Sequence, residues 1–255
     1  MAAMLDHAVS RIVALQVRLL ACRSRLAEDT DSEALHDLRT STRRLRSLLR
    51  PLRGLPGVDQ LEDAAKALGT LTTPLRDREV LAAEMISRHY LQAGQRRLAD
   101  RAQTFASVAE SDQLKRVLII IDAFPRFLRA AERQKLVRGL GKRTDKRLGK
   151  QWRKLEEALQ DPAHDCHRLR LLIKRVRYGD EAYPQLDHAG KSLRRLLKKA
   201  QGDLGDWHDR VQWLVQAQEQ ADLAPCKAVW EQELETAQEQ ADLTLKRLQK
   251  ALSRR

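Results

Sequence analysis

The chain has 255 residues, of which 48 are Lys or Arg and 35 are Asp or Glu, giving a formal charge of +13 and a pI near 10.0. That balance excludes a neutral surface and implies an anionic partner: nucleic acid, a membrane surface or polyphosphate. Aromatics are only 4% of the residues and Cys22, Cys166 and Cys226 form no CxxC, so a disulfide framework and a cysteine zinc site are excluded, and a core built by helices is expected instead.

The N-terminal stretch MAAMLDHAVSR has no basic region followed by a long apolar run, so no export signal is expected, and a cytoplasmic location follows. Helical spacing starts at once with Ile12, Leu15, Leu19 and Leu26. Polar or Pro/Gly-rich breaks are predicted at EDTDS (28–32), PLRGLPG (51–57), GTLTTP (69–74), VAESD (108–112), GLGKRTD (139–145), QDPAHD (160–165) and PQLDHAG (184–190). These breaks divide the chain into roughly eight or more helices with short connections. The most apolar run, 117–121, is far too short to span a bilayer, and no membrane insertion is expected.

Between the first two breaks lies HDLRTSTRRLRSLLR. At about 100° per residue, His36, Arg39, Arg43, Arg46 and Arg50 share a stripe roughly 80° wide, beside an apolar face of Leu38, Leu45, Leu48, Leu49 and Leu52. Later, HRLRLLIKRVRY repeats the device. His167, Arg170, Lys174 and Arg177 form the stripe, flanked by Leu169, Leu172, Ile173 and Val176, with Tyr178 at its edge. A shift of 131 positions lays His36, Arg39, Arg43, Arg44 and Arg46 on His167, Arg170, Lys174, Arg175 and Arg177. Downstream, PLRDREVL (74–81) matches DWHDRVQW (206–213) after a small change of register, Asp77 on Asp209 and Arg78 on Arg210, with a Leu-Gly pair before each. One domain over 1–255 is expected, all-α, made of two similar helical bundles in approximate halves 1–130 and 131–255, with the repeated helices near a pseudo-two-fold axis.

One such stripe would be read as a solvated face. Recurrence in the same order and spacing asks for a shared ligand, because a solvated face tolerates Glu, Gln or Lys anywhere. A fourteen-residue stripe is roughly 20 Å long, so only an extended polyanion uses all of it. Like charges at this spacing cost an isolated helix about 0.2–0.5 kcal/mol per pair, whereas each charge-assisted hydrogen bond to phosphate returns about 1.5–3 kcal/mol. A bound polyanion would also favour the imidazolium forms of His36 and His167. Tyr178 is open to two readings, a hydroxyl donor to phosphate or a cap on the core. Lys142, Arg143, Arg147 and Lys150 before the second stripe, and Arg194 and Lys198 after it, are second-tier candidates; residues 142–178 are strongly basic and residues 219–242 mostly acidic.

Nucleic-acid binding is the main alternative, weakened by the scarcity of aromatics for base stacking and of Asn or Gln on the stripes. Catalysis has less behind it. There is no HExxH and no Walker loop; the His36–Asp37 pair has Arg168 in the second repeat, and Asp77 and Asp209 stand at no recognised ligand spacing. No catalytic residue, metal or cofactor is expected. A scaffold function, using the acidic C-terminal helices for partners, is compatible with polyanion binding.

HDLRTSTRRLRSLLR, HRLRLLIKRVRYGDEAY, LGTLTTPLRD and LGDWHD together resemble the signature elements of the CHAD family, the conserved histidine α-helical domain, over nearly the whole chain. The resemblance implies two helical bundles with basic helices lining a central groove or pore that binds inorganic polyphosphate, and association with polyphosphate granules. Carried over by position, its binding residues are His36, Arg39, Arg43, Arg44, Arg46, His167, Arg170, Lys174, Arg175, Arg177 and Tyr178. Arg44 and Arg175 lie off the stripes. No strand-rich triphosphate-tunnel region accompanies the helices, so the helical module alone is expected.

Overall fold

The computed structural model describes residues 2–161, 163 and 165–254; Pro162 and His164, within the break expected at 160–165, lie outside them. Ten α-helices and no strand occur among the described residues. The chain forms two compact units, Met1–Thr144 and Asp145–Arg255.

In the first unit, α1 (Ala2–Ala27), α2 (Ala34–Leu49), α3 (Val58–Ser87) and α6 (Asp112–Arg133) form the main packing, with the short α4 (Leu91–Leu98) on α3 and α5 (Arg101–Ala109) on α1. Leu5, Ile12, Leu19 and Leu26 recur on one side of α1 and are buried, facing the equally buried apolar side of α2. All five leucines of the α2 apolar face are inside. The close seat of α4 on α3 requires glycine at Gly94, where a Cβ would meet the Ala82 carbonyl at 2.8 Å.

In the second unit, α7 (Leu140–Gln160), α8 (Cys166–Ala182), α9 (Lys191–Glu219) and α10 (Lys227–Leu252) share one core. Trp152, Leu155 and Leu159 enter from α7, Leu169, Ile173 and Val176 from α8, Leu197 and Leu204 from α9, and Leu245 and Leu248 from α10. Each unit taken alone has a long helix, a short basic helix, a helix of about thirty residues and a closing helix, with α4 and α5 standing before the closing helix in the first unit. The unit boundary at 144/145 falls in the first turns of α7, beyond the 130/131 midpoint of the sequence repeat.

Two of the expected breaks are corrected. GTLTTP lies inside α3, which continues through Pro74. Proline removes one N–H from the helical ladder, the one that would reach the Thr70 carbonyl, while the hydroxyls of Thr70, Thr72 and Thr73 turn back onto the carbonyls of Lys66, Leu68 and Gly69 at 3.2, 2.9 and 2.7 Å within the helix. GLGKRTD likewise lies mostly within α7. The actual break is 134–139, where Lys135 and Gly139 adopt φ of +63° and +68°. Conversely, the turn at 88–90 carries no Gly or Pro; His89 takes φ +67° there, which no sequence signal announced.

Candidate functional site

The start of α2 is held from α1. Arg25 Nε and Nη2 donate to the two oxygens of Asp31 at 2.7 and 2.8 Å, and its Nη1 donates to Asp37 at 2.7 Å. The Asp31 carboxyl is held below its ordinary range chiefly by that hydrogen bond to Arg25. Asp37, the acid of the His-Asp pair, is thereby occupied in holding α1 to α2. The start of α8 uses a different device: Asp165 caps the helix by accepting from the His167 backbone N–H at 2.8 Å.

The row on α2 lies against α3. Arg39 Nη1 donates to the hydroxyls of Thr72 and Thr73, each at 3.1 Å, and approaches the Gly69 carbonyl at 3.4 Å. Arg43 Nη2 donates to Thr40 at 3.2 Å. The Arg46 guanidinium passes beside Gly69, where a Cβ would lie 3.9 Å from Nη1. Burial pushes the Arg39 pKa down, opposed by Asp77 and reinforced by Arg43 and Arg76. An arginine so placed remains charged, so the row is a cluster of partly desolvated cations with Asp77 as a nearby acid. Arg39, Arg43 and Arg46 are half-buried and His36 is exposed.

The row on α8 lies against α9 in the same manner. Arg177 Nε donates to Gln201 Oε1 at 2.6 Å, and its Nη1 pairs with Glu181. The His167 and His208 ring centroids are 5.5 Å apart. Burial first, then the charges of Arg170, His167 and Lys174, push the His208 pKa down to about 4. Burial raises the Asp209 carboxyl, with Arg170 the first opposing charge.

Aligning Asp77 with Asp209 places Arg76 on His208, Arg78 on Arg210 and Gly69 on Gln201. The contacts obey this register: Arg46 meets Gly69 in one unit as Arg177 meets Gln201 in the other. Arg78 donates to Asp100 and Thr104 of the α5 region, at 3.1 and 3.2 Å, whereas Arg210 pairs with Glu233 of α10 at 3.4 Å and lies over the Trp213 ring. Both arginines thus fasten the long helix to a later helix of the same unit. The two Leu-Gly pairs are not equivalent positions. They stand one helical turn out of step, and an uninterrupted helix has no loop in which to absorb four residues.

The remaining candidates separate by surroundings. Arg50 ends its stripe 3.5 Å from the buried Glu62, which also pairs with Arg53. Arg194 donates to Asp180 at 2.6 Å and to Asp187 at 3.0 Å, so it braces α8 against α9. Arg44, Arg175, Lys142, Arg143, Lys150 and Lys198 are exposed and Arg147 is half-buried. Gln201, Thr72, Thr73 and His208 join the rows although their residue types carried no signal; the repeated Asp-Arg element was the only pointer to this part of the long helices. Among the described residues, no group of three or more His, Cys, Asp or Glu converges as a metal-ligand set.

Tyr178 is buried, with 7% of its surface exposed, and the Arg177 guanidinium lies over its ring at 4.1 Å. That geometry favours support of Arg177 over direct contact with a ligand. Tyr178→Phe is expected to change polyphosphate affinity by less than about 1 kcal/mol in a binding titration; a larger loss would assign the hydroxyl to the ligand.

Compared with known proteins, residues 11–218 match the family model of the CHAD domain. A crystal structure of the CHAD domain from the plant Ricinus communis superposes with a TM-score of 0.69 at 22% identity, covering 98% of this chain and 91% of that one. No curated protein sequence matches the chain.

Proposed function

The chain belongs to the CHAD family, and from that premise we propose that it binds inorganic polyphosphate non-catalytically, each unit offering one row of cations to the polymer. The observation that carries this reading is the seating of both rows: half-buried cations on a short helix, packed against the adjacent long helix, whose polar side chains hold Arg39 in the first unit (Thr72 and Thr73) and Arg177 in the second (Gln201). Cations held in this way lose little further freedom on binding, and arginine's fork suits phosphate oxygens. No base edge needs to be read. We place the protein in the cytoplasm, on polyphosphate granules, as a binding module and not a hydrolase.

No helix of the described residues is long and apolar enough to cross a membrane. The nucleic-acid alternative would need exposed aromatic platforms, and Tyr178, the aromatic within the second basic motif, is buried. Calorimetric titration with polyphosphate of defined length, in competition with single-stranded DNA of matched charge, is expected to show displacement of the DNA. Equal or stronger retention of DNA would overturn the choice of polymer. Measuring polymer length after incubation with protein and a divalent metal checks the non-catalytic reading, since release of phosphate would refute it.

A further inference from the structure

The two rows differ at one position in a way that matters for pH. Where the first unit has Arg76, a permanent cation, the second has His208. From α8, His208 is faced by His167, Arg170 and Lys174. On its own helix it neighbours Trp207, whose ring centroid is 6.3 Å away, and stands next to Asp209. On the α10 side, Glu233 is already engaged by Arg210 at 3.4 Å. His208 therefore sits beside a group of cations, where a proton is disfavoured until an anion arrives.

We infer that His208 is a proton-operated phosphate contact: neutral in the free second unit, it takes up a proton as a phosphate anion settles on His167, Arg170 and Lys174. Anion binding by this unit then strengthens as pH falls. The inference rests on the polyanion reading of the row. In the free protein the imidazole titrates near about 4, because burial and the facing cations oppose its charge. A bound phosphate reverses the local potential and raises that value. Between the free and bound values, each fall in pH favours the complex; above the bound value and below the free one, His208 adds no pH dependence. Arg76 gives the first unit no such slope.

The test is calorimetry on the whole protein with polyphosphate of defined length, at about pH 5.5, in two buffers of different ionisation enthalpy. Wild type is expected to take up as much as one proton more per bound polymer than His208→Asn. Protons on the terminal phosphates are common to both titrations and cancel in the difference. Equal uptake by both proteins overturns the inference while leaving polyphosphate binding intact, whereas absence of binding by wild type overturns the polyphosphate reading and the inference with it. Should the variant lose helicity, the His208 ring resonance of wild type, titrated with and without polyphosphate, reads the same quantity. A midpoint unmoved by the polymer would then overturn it.

Discussion

A chain carrying Arg39→Ala, Arg43→Ala and Arg46→Ala together is expected to lose about a thousandfold in polyphosphate affinity while keeping its helical content. Three charge-assisted phosphate contacts, taken at the low end of about 1.5 kcal/mol each because the side chains are partly solvated, amount to roughly 4 kcal/mol. The fold is spared because these side chains project from the side of α2 next to its buried leucines, and the leucines of the α2 core are untouched. Arg39 does contact Thr72 and Thr73, but both threonines keep their own bonds to the carbonyls of α3 when it is removed. The control is Arg18→Ala, Arg116→Ala and Arg138→Ala, three exposed arginines away from the row. Calorimetry on both triple variants, with circular dichroism for helicity, decides: indistinguishable losses would show that affinity follows total charge and not a local site.

The second large effect falls on stability. Trp230 is completely buried on α10 and lies against Trp213 of α9, ring centroids 5.4 Å apart. Trp230→Ala removes the largest fully buried side chain and leaves a cavity along the α9–α10 seam, costing about 3–5 kcal/mol. Thermal unfolding followed by circular dichroism should shift downward by on the order of 10 °C. A shift of only a degree or two would mean that the seam collapses to refill the space. Because α9 also carries Gln201, His208 and Asp209, the variant should lose order at the second row as well, seen as broadened His208 signals in the folded protein below its transition.

The helical character of the chain and the identity of its buried faces were legible from periodicity alone. Leu38, Leu45, Leu48 and Leu49 on α2, Leu52 in the turn after it, and Leu169, Leu172, Ile173 and Val176 on α8, are inside as their spacing predicts. Spacing is a property of a single helix, so it also placed the cations on the neighbouring side of each. Helix ends were less legible wherever two local rules competed. In GTLTTP, proline and glycine argue for a break, yet the helix runs on through them, with threonine hydroxyls folded back onto carbonyls of the same helix. At His89 the chain turns through a left-handed residue with no glycine to mark it.

What the sequence by itself determined about this protein is therefore its all-helical class, its basic repeat and the stripes on which His36, Arg39, Arg43, Arg46, His167, Arg170, Lys174 and Arg177 stand. What only tertiary structure decided is the company each of those side chains keeps. Arg50 ends at Glu62, Arg194 at Asp180 and Asp187, and Arg177 at Gln201 and over the ring of Tyr178. The physical reason is range. A helix relates residues three or four apart through its own geometry, whereas the partners of Arg39 and Arg177 lie 33 and 24 residues away on another helix, at a register set by how the two apolar faces interlock.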